Sequence, residues 1–186
     1  ITGEAARRRV HQDRNRYAAI MAGVGTVLAD DPLLTCRIEG GRDPLRVLCD
    51  THLRTPPQAQ VVTTADQIPT ILATCCTDPE RQAVYRMAGC QVLCLNEENG
   101  HVDLRQLMER LGREQIDSIL LGGGMVHSQD LVDQITEACG WMAPVTAYPG
   151  EFEMEAMAAG AIRVLTGKEQ VKTYTGKPVW SGFDFN

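Results

Sequence analysis

Positive charge is in short supply in this chain: 18 lysines and arginines stand against 24 aspartates and glutamates, a formal net charge of −6. That balance argues against a general nucleic-acid binder, because phosphate backbones select basic surfaces. Long hydrophobic runs are missing too, and no secretory signal is visible, so no membrane partner and a cytoplasmic setting are expected. An initiating methionine is absent, Ile1 standing first, which suggests a piece of a longer protein. The G-x-G-x-x-G fingerprint of a Rossmann domain, the G-x-S-x-G elbow, the Walker loop and the kinase signatures are all lacking.

Metal-ligand spacing is absent as well. The seven cysteines, Cys36, Cys49, Cys75, Cys76, Cys90, Cys94 and Cys139, contain no C-x-x-C pair. Several sit in or beside apolar runs and read as small buried hydrophobes rather than as a zinc site or a disulfide framework. His11, His52, His101 and His127 are scattered, with no E-x-x-H or H-x-E context. No metal site is expected.

What is present is an ordinary globular composition over 186 residues, enough for one domain, 1–186, with a substantial core. A first helix is expected over 3–16, with Thr2 as N-cap, Glu4 in the first turn and a basic face carrying Arg7, Arg8, Arg14 and Arg16. Short apolar runs predict strands at 18–22, 45–50, 70–74, 91–95 and 117–121. Helical patterns lie between them at about 79–88 and 103–112, the second with Leu104, Leu107, Met108 and Leu111 at i, i+3, i+4, i+7. This alternation implies an α/β domain with a mostly parallel central sheet flanked by helices. In the last third, a helix near 126–138 and strands near 141–147, 161–166 and 170–175 are expected.

Three polar clusters follow strand ends. Gly23 to Arg37 reads Gly-Val-Gly-Thr-Val-Leu-Ala-Asp-Asp-Pro-Leu-Leu-Thr-Cys-Arg. Taken as one short connection, it offers outward-facing amides, a hydroxyl, carboxylates and a guanidinium, the groups that hold a phosphorylated polar ligand. Asp50 to Pro56 sets a hydroxyl and Arg54 at the second strand's end, suited to a ribose 2′-phosphate or simply to a solvated turn. Gly122, Gly123 and Gly124 make a tight strand-to-helix turn that permits close approach of an anion, though any such turn favours glycine.

Ile1 to Arg8, Val10-His11, Arg14, Gly25 to Thr35, Leu45 to Pro56 and Ile116 to Gly124 occur in one order. Together they resemble the reductase domain of the bifunctional riboflavin-biosynthesis deaminase-reductases, whose fold is that of dihydrofolate reductase. The resemblance covers roughly the first two thirds of the chain. It implies that Arg14 and Arg37 bind the ribose phosphate of a phosphorylated ribosylaminopyrimidine, with Leu34 lining the site. Thr26, Asp30 and Thr51 would contact NADPH, and Gly122, Gly123 and Gly124 would support its pyrophosphate. The reaction implied is reduction of 5-amino-6-(5-phosphoribosylamino)uracil to its ribitylamino form, hydride going to C1′ of the opened, imine-like sugar.

A homodimer is implied by the resemblance alone. It identifies no catalytic proton donor. The family usually has a substrate-contacting glutamate at the turn where Leu121 runs into Gly122, and its opening strand and tryptophan do not occur here. The zinc signature of the deaminase half is absent, so no deaminase activity is expected of this chain, although a parent chain with a deaminase domain stays open. A non-catalytic nucleotide-binding or structural domain derived from this reductase remains the alternative.

Overall fold

The structure, a computed structural model, describes residues 4–122 and 129–139, all within the compact unit Gly3–Pro149. Six helices and seven strands follow one another in this part. In chain order they are α1 (Glu4–Arg16), β1 (Ala19–Gly23), α2 (Val24–Asp30), β2 (Leu45–Cys49), α3 (Gln60–Thr63), β3 (Thr70–Thr74), α4 (Pro79–Met87), β4 (Gln91–Cys94), β5 (Glu97–Glu98), β6 (His101–Val102), α5 (Leu104–Arg113), β7 (Ile119–Gly122) and α6 (Gln129–Cys139).

Five strands form one sheet in the order β4-β3-β2-β1-β7, every pairing parallel. Parallel strands need crossovers and are covered on both faces, which is why their sequences are predominantly apolar rather than alternating. The fold is dihydrofolate-reductase-like, as the resemblance implies. One face buries Ala19, Met21, Val47, Ile71, Ala73 and Leu93 against Leu104, Leu107, Met108 and Leu111 of α5 and Ile135 of α6. The other buries Ile20, Ala22, Leu48 and Leu72 against Val27 of α2, Val61 and Val62 of α3 and Tyr85 of α4. Adjacent strand residues thus feed opposite layers, as the pleat requires.

Local chemistry sets the element ends. Asp78 caps α4 by accepting from the N–H groups of Glu80 and Arg81, with Pro79 at the first helical position. Asp103 caps α5 through the Gln106 N–H at 2.9 Å. β5 and β6 pair antiparallel around Asn99 and Gly100, both at positive φ, a hairpin turn of the expected chemistry.

Several expectations need correcting. The stretch from Gly23 is not one short connection: Val24–Asp30 is helix, and Gly25 lies inside it. Val24 and Val27 are buried, so tertiary packing overrides the glycine and the β-branched residues that read as a turn. α3 and the β5–β6 hairpin were not anticipated, being too short for a periodic signal. Of the cysteines described, Cys90 is buried but Cys94 is exposed on the edge strand, and Cys36, Cys49, Cys75 and Cys76 are partly exposed. α6 agrees with the helix expected near 126–138, whereas Thr2 and the strands expected at 141–147, 161–166 and 170–175 lie outside the described residues.

Candidate active site

Because all five strands point the same way, their carboxyl ends share one edge. β1 is followed by β2 on one side and flanked by β7 on the other, so this order changes direction between β1 and β7. Ligands of open parallel sheets settle at such a switch point. There Ala22 lies opposite Gly122, and Gly23 opposite Cys49.

Thr51 follows the end of β2 and is half-buried; its carbonyl accepts from the Thr74 hydroxyl and the Cys75 N–H. Thr26 is half-buried in the first turns of α2, directly past β1, while Asp30 is exposed in that helix's last turn. A Cβ built on Gly25 meets nothing within 4 Å, so the start of α2 faces open space. Gly122 ends β7 on the same edge; Gly123 and Gly124 lie outside the described residues. The edge therefore gathers Thr26, Thr51 and Gly122, with Asp30 about one helical turn beyond Thr26. An open surface with backbone and hydroxyl groups fits a nicotinamide cofactor.

The loop behind Thr51 is built around Asp50, which is wholly buried. Its carboxylate accepts from the Arg54 N–H at 2.9 Å, the Thr55 N–H at 2.7 Å and the Thr55 hydroxyl at 2.8 Å. Tyr85 donates its hydroxyl to the Thr55 carbonyl at 2.6 Å. Asp50 and Thr55 are thus scaffold, and Leu53 is held at φ 50 between them. Of the cluster's polar groups, half-buried Thr51 and exposed Arg54 are the ones left outside this scaffold.

Past α2 the chain forms a strap, 31–37. Asp31 adopts a left-handed conformation, and its carboxylate accepts from the Gln60 N–H at 2.8 Å, so it serves the start of α3 rather than a ligand. Leu34 is buried and also left-handed, with φ 58, a costly state for a branched side chain that persists only where neighbours enforce it. Several side chains grip the strap: Gln60 donates Nε2 to the Asp31 carbonyl at 2.6 Å, Asp43 accepts the Cys36 N–H at 2.7 Å, and three more come from α1 and β2. Arg14, in the last turn of α1, donates Nη1 to the Thr35 carbonyl at 2.9 Å. His11, one turn earlier, accepts the Arg37 N–H on Nδ1 at 3.3 Å. Arg46, from β2, donates to the Leu33 carbonyl at 3.2 Å.

The strap brings Arg14, Arg37 and His11 together and makes the region strongly cationic. Desolvation lowers the Arg14 pKa, and the Arg37 charge lowers it further. His11 is likewise pushed below its ordinary value of 6.5, first by burial and then by Arg14 and Arg37, a contact with the Thr35 backbone working the other way. The Arg14 Nε is buried without a hydrogen-bond partner, a donor whose desolvation is uncompensated. Guanidiniums and unpaired N–H donors are the groups that suit an anion with several oxygens.

Arg14, Leu34 and Arg37 therefore sit together as expected, and Thr26, Thr51 and Gly122 sit together elsewhere. The sequence put Thr26, Asp30, Leu34 and Arg37 in one short connection; in the structure α2 intervenes, carrying Thr26 and Asp30, with Leu34 and Arg37 beyond it. Its seven residues rise about 10 Å. His11 and Arg46 were missed. The first lacked a metal or triad context; the second lay unnoticed inside an apolar strand pattern, where a charged residue was itself the signal.

Cys49 and Cys90 add no competing chemistry. Desolvation, with help from Asp50, pushes the Cys49 thiol up to about 12, and burial pushes Cys90 up to about 11. Both stay protonated at neutral pH and are poor nucleophiles or ligands. Among the described residues, no three histidine, cysteine or acidic side chains gather as a metal site, and no helix is long and apolar enough to cross a membrane.

Comparison with known proteins places the chain in a family. The chain is 48% identical over 124 residues to riboflavin biosynthesis protein RibD of Actinobacillus pleuropneumoniae, covering 67% of this chain and 33% of that protein. It is 41% identical over 128 residues to the 2,5-diamino-6-ribosylamino-4(3H)-pyrimidinone 5′-phosphate reductase of Methanothermobacter thermautotrophicus, covering 67% of this chain and 57% of that one. Acinetobacter baumannii RibD superposes with a TM-score of 0.59 at 27% identity, over 72% of this chain and 36% of the other. The chain thus spans between a third and somewhat over half of these relatives. The family model described as the RibD C-terminal domain matches residues 1–145, and the chain belongs to that family.

Proposed function

We propose that this chain is a pyrimidine reductase of riboflavin biosynthesis, using NADPH to reduce 5-amino-6-(5-phosphoribosylamino)uracil to the ribitylamino product. The observation that carries this reading is the strap: Arg14 and Arg37 converge there, and the buried Arg14 Nε has no partner. A 5′-phosphate dianion would satisfy that donor and relieve the repulsion between the two guanidiniums. The Leu34 side chain is buried in the core beside the sheet, so it supports the strap from within rather than facing the ligand.

With the phosphate held at the strap, the ribose carbons extend along α2 towards Thr26 and Thr51. A bound reduced nicotinamide supplies the hydride there. C1′ of the ring-opened imine gains the hydride, its nitrogen gains a proton, and the C=N bond becomes a single bond. The chain's contribution is placement of both reactants and electrostatic anchoring of the phosphate.

NADPH rather than NADH, a cytoplasmic setting and a homodimer belong to the same proposal, as do a deaminase domain in a longer parent chain and the continuation of one reductase-like domain from 145 to 186. NADPH oxidation, followed at its near-ultraviolet absorbance with the ribosylaminouracil phosphate added, tests the activity. Substrate-dependent oxidation is expected, and its absence in a folded sample overturns the reading. A second reading, a non-catalytic nucleotide-binding domain, is favoured by Gly122, which ends β7 without a carboxylate. Tight NADPH binding without turnover is the outcome that selects it.

A further inference from the structure

Arg46 is 0% exposed at the second position of β2, between Ile20 and Thr70 in the sheet. Its guanidinium donates Nε to the Thr70 hydroxyl at 2.9 Å, Nη2 to the Ile68 carbonyl at 2.9 Å, and Nη1 to both the Thr64 hydroxyl at 2.8 Å and the Leu33 carbonyl at 3.2 Å. Every one of these acceptors is neutral. Burying a guanidinium among neutral oxygens is costly, and an apolar residue at a strand position of this kind avoids the cost altogether. Desolvation accordingly lowers its pKa, Cys90 and Asp43 acting in the opposite direction.

The distribution of acceptors shows what the arrangement accomplishes. Thr64 and Ile68 belong to the segment linking α3 to β3 and Thr70 opens β3, while Leu33 belongs to the strap. Arg46 is thus the tie between the sheet layer and the strap. Leu34, the next residue, holds φ 58, and such a conformation persists only where the surroundings over-determine it. Arg14 and His11 fix the strap beyond Leu34, at Thr35 and Arg37; Arg46 fixes it before Leu34.

We propose that Arg46 is a positioning residue of the phosphate-binding strap: by donating to the Leu33 carbonyl it holds Leu34 left-handed, with its side chain in the core, and so sets the course of the strap that carries Arg37. This inference rests on the reading of the strap as the substrate's phosphate site. Arg46 itself touches no ligand and acts through the backbone.

Three variants separate this role from plain structural support. Arg46→Met removes the tie, Arg46→Lys keeps the charge but cannot reach four acceptors, and Thr64→Val deletes one acceptor while sparing the bond to Leu33. Arg46→Met should raise the substrate KM by about 10-fold or more with the NADPH KM nearly unchanged, since only one ligand's contacts move. Hydrogen exchange at the amides of 33–37 should accelerate by about 10-fold as the strap opens locally. Arg46→Lys should show the same pattern to a smaller degree, and it stands in for Arg46→Met if that variant does not fold. Thr64→Val should lower the melting temperature and leave both KM values and the strap's exchange as they are.

The proposal is overturned if the Arg46 variants lower the melting temperature like Thr64→Val without altering substrate KM or exchange at 33–37. Should the wild type show no substrate-dependent turnover, the reductase reading falls and exchange alone decides the tie. Faster exchange at 33–37 in the Arg46 variants but not in Thr64→Val then supports it, and unchanged exchange overturns it.

Discussion

Single side chains around the strap carry separable tasks. Replacing Arg37 or Arg14 by alanine removes a charge-assisted bond to a partly desolvated anion. That loss costs about 2–5 kcal/mol when the partner charge is left buried, so apparent substrate affinity should fall by roughly 30-fold or more. NADPH affinity, measured by fluorescence titration, should remain within about twofold of the wild type. A result in which Arg37→Ala weakens NADPH instead reverses the assignment of the two groups. His11 supplies a pH signature. Its folded pKa lies below 6.5, so between the two values the unfolded chain binds more protons than the native one. The stability this residue contributes is therefore complete above about 6.5 and is lost as pH falls towards the folded value. A proton NMR titration of the His11 ring should show a midpoint below 6.5 that moves upward when inorganic phosphate is added. A midpoint at or above 6.5 without phosphate contradicts the cationic surroundings described here.

Elements differ in how plainly they were written in the chain. β1, β2, β3, β4 and β7 were legible because strands of a covered parallel sheet are predominantly apolar runs bounded by Gly, Pro and polar residues, even where one carries Arg46 or Gln91. α5 was legible for a different reason: Leu104, Leu107, Met108 and Leu111 place one stripe against the sheet. α2 was not, since Gly25, Thr26 and two valines carry weak helix propensity and only burial of Val24 and Val27 selects the helix. The Asp50–Thr55 turn was recognised as polar but misread in purpose, because a sequence does not show which carboxylates are buried. That turn makes a direct test. In Asp50→Ala the Thr55 N–H and hydroxyl lose their acceptor inside the protein, and the variant should lose about 3 kcal/mol of stability by urea unfolding. Thr51 begins the same turn, so NADPH affinity should fall as well while substrate affinity changes less. Loss of stability with NADPH affinity intact would detach this loop from the cofactor's side of the site.

At the scale of the whole molecule, the sheet's order and α2 together decide where the two ligands meet. The parallel sheet collects Thr51, Gly122 and the start of α2 on one edge, and this collection was legible once the motifs were placed at strand ends. Separation of the strap from that edge was not, because it depends on seven residues being helical rather than extended. Gly122 bears on the same edge. A Cβ there meets only ordinary contacts, Met21 O at 3.7 Å and Ile20 side-chain carbons at 3.9 Å, so Gly122→Glu should fold with a melting temperature close to the wild type. The geometry also predicts a pattern of energetic coupling. Groups more than about 7–10 Å apart with no shared partner act additively within roughly 0.5 kcal/mol, while groups in one network do not. Thr51→Val and Arg37→Ala lie at opposite ends of α2, so their effects on the barrier measured from kcat/KM should add in the double variant. Arg14→Ala and Arg37→Ala share one anion, and their combined effect should fall well short of the sum. Strong coupling across α2, or simple additivity within the arginine pair, requires a different placement of the two ligands on this fold.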